Sequence, residues 1–311
     1  MTQDVPTVAV VGSSNMDLVV KSNRIPAIGE TILGGDFIMA PGGKGANQAV
    51  AAAKLGAQVF FIAKLGDDIF GSQSLNNFKK EGVNTKYVLQ TREAPSGVAL
   101  IMVDGDGNNL IVVAPGANQN LSPEDVKEAE SDIASSGALV AQLEVPIETI
   151  EFAAGLANKS NVPFILDPAP AQKLSPQLLN MVDVLTPNET EAQILTGVEV
   201  KDQESAGAAA QKLLECGVKN VILTMGADGY LTASNEGTEF VPAKKVKAAD
   251  STAAGDAFTG SLAVGLAQGK TLSEAALFAN NVAALSVTKM GAQPSMPTLQ
   301  EVESFISKTE Q

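Results

Sequence analysis

The sequence predicts an α/β fold in which a mainly parallel central sheet is covered by helices on both faces. Short apolar runs alternate with segments in which small or apolar residues keep helical spacing, and repeated strand–helix units of this kind form parallel sheets. The first run, residues 8–12 (VAVVG), ends in a glycine followed by polar residues, as expected for a buried central strand that leads into a functional loop. With 311 residues, the chain is long enough for one such domain, 1–311.

The predicted elements keep this alternation along the chain. A helix at 45–55 ends at Gly56 and is followed by a strand at 59–63. The second half adds a strand at 138–143, a helix at 147–158, a strand at 164–167, a helix within 205–215 and a strand at 220–224. Three further helices are predicted at 255–268, 272–288 and 298–307.

Two apolar runs, 97–103 and 109–113, flank the turn sequence DGDG and predict a β-hairpin. Together with residues 31–39 they are compatible with a separate small sheet, inserted into the α/β core at about 15–40 and 97–115. Such a sheet would be a lid over the site or a dimer surface. The alternative is an ordinary edge hairpin, which the local pattern alone favours slightly.

Composition restricts the kinds of site that the chain can carry. The net charge of −14, without a stripe of Lys and Arg, argues against a nucleic-acid partner. Cys216 is the single cysteine, so an internal disulfide and a thiolate zinc site are excluded, and without histidine any proton transfer falls to a carboxylate, Lys or Tyr. No leader pattern and no apolar run of membrane length occurs. We therefore expect a cytoplasmic protein with no membrane partner.

The strongest chemical signal is the stretch 250–258, DSTAAGDAF, in which small residues immediately precede an apolar helix. At such a helix N-terminus, the unpaired N–H groups of Ala253, Ala254 and Gly255 are expected to form an anion hole for a transferring phosphoryl group. Asp256 is the candidate general base, because phosphoryl transfer needs mainly positioning of the acceptor hydroxyl and stabilisation of charge. A capping acid is the alternative role for Asp256.

A second glycine-rich turn, PGGKGANQ at 41–48, opens the first predicted helix. It lacks the spacing of the phosphate loop, because one residue separates the glycines around Lys44 and no Ser or Thr follows that lysine. The amides of Gly43 and Gly45, with the side chains of Lys44 and Asn47, would instead hydrogen-bond a polyol. A tight turn with a solvated lysine is the alternative.

Polar residues also follow predicted strands, where open α/β sheets bind their ligands. Asn15 and Asp17 follow the first strand, and Glu144 follows the strand at 138–143. Their side chains are candidates for binding sugar hydroxyls. The alternatives are turn chemistry for Asn15 and Asp17 and helix capping for Glu144.

Two further segments are candidates for nucleotide binding. Asn188 and Glu191 share one face at a predicted helix start, where an N-cap with a first-turn acid is a strong alternative. The turn from Thr224 to Gly229, which includes Gly226, follows a predicted buried strand and would wrap a nucleotide. A β-hairpin turn explains its glycines equally well.

Taken together, these segments resemble the ribokinase family of carbohydrate kinases along nearly the whole chain. Residues 41–56, PGGKGANQAVAAAKLG, are similar to the N-terminal signature of the family, and residues 250–260, DSTAAGDAFTG, are similar to the C-terminal one. Supporting matches are NMD at 15–17, PNETEA at 187–192 and TKMGAQPS at 288–295.

The resemblance implies a three-layer α/β/α fold with a small β-sheet lid that pairs two subunits into a homodimer, and so favours the lid over the edge hairpin. It also implies transfer of phosphate from MgATP to the 5-hydroxyl of D-ribose, with Asp256 as base and Ala253 to Gly255 as anion hole. By matching positions, the sugar would contact Asn15, Asp17, Gly43, Lys44, Gly45, Asn47, Glu144 and Asp256. The nucleotide would contact Asn188, Thr224, Gly226, Gly229, Gly255 and Asn280.

The family also uses a monovalent cation, usually potassium, beside the anion hole. The matching positions, mostly through backbone carbonyls, are Asp250, Thr252, Ser286, Lys289, Gly291 and Ser295. One carboxylate with neutral oxygens suits such an ion better than magnesium, which keeps waters and binds phosphates. The resemblance therefore implies that magnesium arrives with ATP and meets Glu191 through water.

Other functions stay open at this point. Lys44 within GGKGAN and Glu144 favour ribose over fructose or a nucleoside, although single pocket residues can redirect specificity. A sugar-sensing binding protein without turnover is disfavoured by the intact Asp256 and AAG. A Rossmann dehydrogenase is disfavoured because no G-x-G-x-x-G follows the first strand.

Overall fold

Thirteen strands form two separate sheets in the computed structural model of the chain, which describes residues 5–309. The strands are β1 (Thr7–Val11), β2 (Asn15–Lys21), β3 (Phe37–Gly42), β4 (Gln58–Gly66), β5 (Asn84–Thr91), β6 (Gly97–Val103), β7 (Asn109–Ala114), β8 (Ala138–Gln142), β9 (Phe164–Asp167), β10 (Val184–Leu185), β11 (Asn220–Thr224), β12 (Gly229–Ser234) and β13 (Gly237–Pro242). The helices are α1 (Lys44–Lys54), α2 (Ile69–Lys80), α3 (Pro123–Lys127), α4 (Glu130–Ala134), α5 (Ile147–Lys159), α6 (Pro176–Met181), α7 (Glu189–Thr196), α8 (Gln203–Glu215), α9 (Ala254–Ala267), α10 (Leu272–Ser286) and α11 (Leu299–Thr309).

The central sheet has the strand order β13-β12-β11-β10-β9-β8-β1-β4-β5. The strands from β5 to β11 in this order pair in parallel, and β12 and β13 extend one edge in antiparallel pairing. The middle strands β8 and β9 are buried along their whole length, which explains their continuous apolar sequences. The predicted mainly parallel sheet is confirmed.

Helices cover both faces of this sheet and give the predicted three layers. Alternate residues of β1 point to opposite faces, so Val8 and Val10 pack in one hydrophobic core while Ala9 and Val11 pack in the other. On the face that carries α1, α9 and α10, helix α9 crosses α1 closely at Gly260. A Cβ atom at Gly260 would lie 2.6 Å from the carbonyl oxygen of Gln48. This glycine therefore permits the close approach that places the first turns of the two helices at one site.

The small sheet has the order β3-β2-β6-β7, with β2 parallel to β6 and the two outer pairs antiparallel. The predicted hairpin is present as β6 and β7, but it lies in this separate sheet, so the edge-hairpin alternative is wrong. The predicted strand at 31–39 is only partly confirmed, because regular structure begins at Phe37. The preceding residues include Pro26, Gly34 and Gly35, which disfavour a strand.

The predicted helices begin and end within about two residues of the observed ones. Helix α2, strand β5 and the antiparallel pair β12–β13 were not predicted. Helix α2 has a local start signal, because the Asp68 side chain accepts a hydrogen bond from the Gly71 N–H at 2.8 Å. Within residues 5–309, the helices include none that is long and apolar enough to cross a membrane.

Candidate active site

Side chains from several strand ends and helix starts meet at the carboxyl edge of the central sheet. They surround a cavity of about 180 Å³, which is smaller than the roughly 300 Å³ or more of pockets that enclose a whole small-molecule ligand. The cavity thus has room for reacting groups rather than for an entire nucleotide. Its lining residues are Lys44, Asp167, Thr186, Asn188, Glu191, Thr224, Ser251, Ala253, Ala254, Gly255, Asp256 and Thr259.

Asp256 is buried in the first turn of α9, and its carboxylate faces helix α1. The side-chain amide of Asn47 donates to its Oδ2 at 2.8 Å, and that of Gln48 donates to its Oδ1 at 3.1 Å. Burial raises the pKa of Asp256, while the charge of Lys44 and the two amide hydrogen bonds oppose that rise. Because its carboxylate accepts hydrogen bonds from α1 and does not cap α9, Asp256 does not have the capping role that was its alternative.

Helix α9 begins without a side-chain cap. Ala253, its N-cap residue, has the left-handed conformation (φ 59°, ψ 20°), and no side chain in the described part of the chain caps this helix start. By contrast, α10 is capped by Thr271. One backbone group of the turn is already paired, since the Ala254 N–H donates to the Ser251 carbonyl at 3.2 Å. A first turn without a side-chain cap suits an anion, because helical N–H groups then lack an acceptor.

Lys44 begins α1 and contributes a positive charge to an acidic site. Burial lowers its pKa, but the carboxylates of Asp167, Asp256, Glu144 and Glu191 more than compensate, so the pKa lies above its usual value. Lys44 is only partly exposed and lines the cavity, so the alternative of a freely solvated lysine is not supported. The backbone N–H of Lys44 donates to Glu144 Oε2 at 3.1 Å, which ties the start of α1 to the end of β8.

Asn15 and Asp17 reach the site from the small sheet. Burial, with the nearby charges of Glu144 and Asp256, raises the pKa of Asp17 to about 7. The side-chain oxygen of Asn15 accepts a hydrogen bond from the amide of Asn118 at 2.8 Å. Strand β2 therefore carries two polar side chains held at defined positions beside the start of α1.

Gly43 has to be a glycine for this arrangement. Its φ is 88°, and a Cβ atom there would lie 2.7 Å from the backbone nitrogen of Asn15. Gly45 is equally close to the end of β1, because its Cβ would lie 2.6 Å from the backbone nitrogen of Ser13. These contacts show that the glycine-rich turn packs its backbone against the β1–β2 connection.

Asp167 is a further buried carboxyl group in the cavity. It ends β9, and its Oδ2 accepts a hydrogen bond from Gln48 Nε2 at 2.7 Å. Burial raises its pKa to about 8; the charge of Lys44 lowers the pKa, and the charges of Asp256 and Glu191 raise it. One amide nitrogen, that of Gln48, thus joins Asp167 to Asp256.

Of the residues predicted to contact the nucleotide, Asn188, Thr224 and Gly255 line the cavity. Asn188 and Glu191 form a capping box at the start of α7, with two side-chain-to-backbone hydrogen bonds of 2.9 Å, so the helix-start alternative is correct for their local structure. Burial raises the pKa of Glu191. The turn after Thr224 joins antiparallel β11 and β12 and is a hairpin turn. Asn280 lies on α10 and donates to the Pro242 carbonyl at 3.1 Å.

The two segments that match the family's cation site lie side by side. The N–H groups of Ala249 and Asp250 both donate to the carbonyl of Val287, at 2.7 and 3.1 Å. The carboxylate of Asp250 accepts from the N–H groups of Thr252 and Gly291, at 2.9 and 2.8 Å, and these bonds lower its pKa against the effect of burial. The Lys289 side chain points elsewhere, to Glu301 at 2.6 Å.

Comparison with known proteins identifies the family. The profile described as pfkB family carbohydrate kinase matches residues 5–299. A ribokinase from Haemophilus influenzae is 44% identical, with 96% of this chain and 98% of that protein covered. A deoxyribokinase from Salmonella typhi is 40% identical, with 97% and 99% covered. The chain belongs to the pfkB family of carbohydrate kinases.

A solved structure supports the same fold for this kinase. The structure of Arabidopsis thaliana ribokinase complexed with ribose and ATP superposes with a TM-score of 0.90 at 33% identity and covers 97% of this chain and 99% of that one. The resemblance inferred from the glycine-rich motifs and the three-layer fold expected from it are both confirmed.

The fold of this kinase brings most of the predicted site residues together. The starts of α1 and α9 meet through Asn47 and Asp256, and Glu144 joins the start of α1 to β8. Asp17 lies close enough to Glu144 and Asp256 for their charges to raise its pKa. Asn280 and the residues of the cation segment lie outside the cavity lining. The roles of all the predicted site residues stay predictions.

Sequence reasoning missed several buried residues of this kinase site. Asp167 could have been found from the sequence, because it ends a predicted strand. Glu144 was predicted by the same rule, that open α/β sheets bind ligands at the carboxyl ends of their strands. Gln48 lies inside the glycine-rich motif, next to Asn47, but only Asn47 was predicted to be a site residue. Gln142 and Gln293 gave no signal, since an amide in an apolar strand or a loop acquires its partners only when distant segments meet.

The raised pKa of Asp167 predicts a pH-dependent stability. Asp167 has a pKa of about 8 in the folded protein and an ordinary value of 3.8, so the folded state binds the proton more tightly and stability falls as the pH rises from about 4 to about 8. Asp167→Asn removes this dependence. From pH 5 to pH 9, the free energy of unfolding should fall by at least about 1.4 kcal/mol more for the wild type than for the variant, which is the equivalent of one pKa unit. Denaturant unfolding at the two pH values measures this difference. Equal losses would contradict the burial of a titrating carboxyl at this position.

Proposed function

We propose that this kinase transfers the terminal phosphoryl group of ATP to the 5-hydroxyl of D-ribose, giving D-ribose 5-phosphate and ADP. The observation that carries the proposal is the position of Asp256, a buried carboxylate beside the helix start of α9 that lacks a side-chain cap and beside the polar start of α1. Relatives named ribokinase, at 44% and 41% identity, support ribose as the acceptor.

Asp256 is proposed to be the general base. Each of its oxygens accepts one amide hydrogen bond, and a carboxylate oxygen has room for a second. The 5-hydroxyl would donate to the free position and pass its proton to Asp256 as its oxygen bonds to the γ-phosphorus. The bond between that phosphorus and the bridging oxygen of ADP breaks in the same displacement.

The start of α9 is proposed to stabilise the transferring phosphoryl group. Charge spreads over the three outer oxygens of that group in the transition state. The backbone N–H groups of Ala253, Ala254 and Gly255, together with the helix dipole, would stabilise that charge. For the Ala254 N–H this requires exchanging its bond to the Ser251 carbonyl, at 3.2 Å, for a phosphate oxygen.

The sugar is proposed to lie between the small sheet and the start of α1. Its hydroxyls would contact Asn15, Asp17, Lys44, Asn47 and Glu144, with the backbone amides of Gly43 and Gly45. Both signs of charge occur there, since Lys44 faces the carboxylates, and such a mixed donor and acceptor set suits a neutral polyol.

The nucleotide is proposed to lie on the far side of the cavity. There it would contact Asn188, the turn from Thr224 through Gly226 to Gly229, and Asn280. Gly255 at the start of α9 would then lie beside the terminal phosphates.

Magnesium is proposed to bind with the nucleotide. The carboxyl groups of Asp167 and Glu191 line the cavity and are the oxygen ligands that magnesium prefers. One oxygen of Glu191 accepts the Asn188 N–H at 2.9 Å, which leaves the other for a metal-bound water. When present, magnesium neutralises charge on the β- and γ-phosphates.

Potassium is proposed to bind between the segments that Val287 and Asp250 hold together. The ligands would be the Asp250 carboxylate and neutral oxygens of Thr252, Ser286, Lys289, Gly291 and Ser295. The donor set fits, because a single carboxylate with carbonyl oxygens suits a weakly hydrated monovalent ion. A bound cation there would stabilise the loop that precedes the anion hole.

A homodimer formed through the small sheet is also proposed, with the cytoplasm as the location. Every residue of β7 is exposed, and its centre is apolar from Leu110 to Val113. Phe37 and Met39 on β3 are also more than half exposed. Exposed apolar patches of this kind are typical of protein interfaces.

The proposed reaction is tested by ADP release from MgATP in potassium buffer with ribose, deoxyribose, fructose, adenosine or no acceptor, with the product identified by mass. We expect the highest kcat/KM with ribose. Preference for deoxyribose, the substrate in the name of the Salmonella typhi relative, would keep the reaction and change the acceptor. Absence of turnover with all acceptors would favour a sugar-binding sensor.

Substitution of the base tests the mechanism. Asp256→Asn keeps the size of the side chain but cannot accept the hydroxyl proton, so kcat should fall by several orders of magnitude, about 10² to 10⁴ from base loss alone. Ribose binding, measured by calorimetry, should remain. Turnover within tenfold of the wild type would refute the role of Asp256 as base.

The cation proposal predicts faster turnover in potassium than in sodium at constant ionic strength. We expect Asp250→Asn to abolish most of this difference, because the variant removes the one negative ligand. Initial rates in the two salts, for the wild type and the variant, measure the effect. Identical rates for the wild type in both salts would rule out a cation requirement.

A further inference from the structure

Two chains of side-chain amides converge on the carboxylate of Asp256. In the first, Asn77 of α2 donates to Gln293 Oε1 at 2.7 Å, and Gln293 Nε2 donates to Asn47 Oδ1 at 3.2 Å. Asn47 then donates to Asp256 Oδ2 at 2.8 Å. Gln293 and Asn47 each accept on the side-chain oxygen and donate from the nitrogen, so the chain runs in one direction and ends on the carboxylate.

The second chain reaches the other oxygen of the same carboxylate. Gln142, at the end of β8, donates to Gln48 Oε1 at 2.6 Å. Gln48 Nε2 then donates to Asp256 Oδ1 at 3.1 Å and to Asp167 Oδ2 at 2.7 Å. Gln48 and Gln142 are fully buried, so water does not compete for these bonds.

The outer glutamines pair the end of each inner amide that faces away from Asp256. An ionised carboxylate only accepts hydrogen bonds, so Asn47 and Gln48 must present their nitrogens to it. Their oxygens then need a donor on the opposite side, and an unpaired buried oxygen is unfavourable. Gln293 and Gln142 supply those donors. Without those donors, the side-chain oxygens of Asn47 and Gln48 would be buried and unpaired, which would destabilise the orientation that points their nitrogens at Asp256.

We propose that Gln142 and Gln293 are positioning residues that orient Gln48 and Asn47 toward the carboxylate of Asp256. The inference rests on the proposed role of Asp256 as base. Two oriented donors fix the carboxylate on both sides and leave one acceptor position on each oxygen for the sugar hydroxyl. They also favour its ionised form, which is the form that accepts a proton.

Gln293 also connects the proposed potassium site to Asp256. It lies in the segment 288–295 proposed to hold potassium, and Lys54 Nζ donates to its backbone carbonyl at 3.1 Å. The same side chain contacts Asn47. A change in that loop therefore reaches Asp256 through two side-chain hydrogen bonds, which offers a direct route by which the cation would influence the base.

The acidic limb of the pH profile of kcat depends on how the amides of Asn47 and Gln48 are oriented. The charged groups that face Asp256 are Lys44, Glu144, Asp17, Asp167 and Glu191, and none of them is altered by substituting Gln142 or Gln293. Losing one oriented donor raises the pKa of Asp256, because the hydrogen bonds from Asn47 and Gln48 lower it. The acidic limb of the kcat profile should then move to higher pH.

Gln142→Leu and Gln293→Leu test the proposal. Each should lower kcat by about 10- to 100-fold, since small displacements of a reacting group have effects of this size. Each should also move the acidic limb upward by about one pH unit. The ribose KM should change less than kcat for Gln142→Leu, because Gln48 is not among the proposed sugar contacts.

Asn281→Leu is the matched control. Asn281 is a buried amide on α10 whose nitrogen donates to the Leu277 carbonyl, so its loss tests the general effect of removing a buried amide. We expect lower stability and an unmoved pH profile. If a leucine variant fails to fold, Gln142→Met and Gln293→Met remove the donor with an unbranched side chain and without adding a charge.

A readout without turnover separates this inference from the proposed function. Carbon-detected NMR titration of the Asp256 carboxyl group should show a higher pKa in both glutamine variants than in the wild type. Unchanged Asp256 titration together with an unmoved pH profile would overturn the positioning role. A wild type that is inactive with every acceptor refutes the proposed reaction, whereas the titration still decides the role of the glutamines.

Discussion

The hydrogen bonds from Asn47 and Gln48 to Asp256 are the constraint on which the site depends, because they join the start of α1 to the start of α9. Burying a carboxylate is strongly unfavourable unless it is paired or hydrogen-bonded. Here both oxygens are satisfied by amides from one helix. The absence of a side chain at Gly260 lets the helices cross closely enough for these bonds to form. The sugar-binding turn and the anion hole are therefore held in one geometry by the packing of two helices.

Charge balance explains why such a site needs positive partners. Glu144, Asp167, Glu191 and Asp256 surround the ammonium group of Lys44, and Asp17 lies near two of these carboxyl groups, Glu144 and Asp256. Asp17 and Asp167 keep part of their protons near neutral pH, since burial raises their pKa values to about 7 and about 8. A neutral polyol can bind among these groups without further charge. The phosphates of ATP cannot, so helix N-termini and metal ions have to supply the compensating positive potential.

The sequence predicted the parallel sheet and the two helix starts because both follow from local patterns. The run VAVVG and the motifs GGKGAN and AAGD each carry their signal within a few residues. The assignment of the hairpin at 97–113 to a second sheet could not follow from such patterns, since β6 pairs with β2, about eighty residues earlier. The amide chains through Gln142 and Gln293 were hidden for the same reason. A glutamine is neutral in every local pattern, and its role is set by residues that are distant in the sequence.

The two sheets divide the site between parts that differ in how firmly they are held. Asp256, Asp167 and Lys44 belong to the central layers, where strands such as β8 and β9 are buried along their whole length. Asn15 and Asp17 belong to the small sheet, in which every residue of β7 is exposed. Segments with few buried contacts open most easily. The sugar residues on β2 therefore depend on the small sheet for their positions, whereas the base and the anion hole depend on the central layers. A partner subunit that covered the exposed face of the small sheet would stabilise the part of the site that β2 contributes, because the exposed apolar residues of β7 would then be buried.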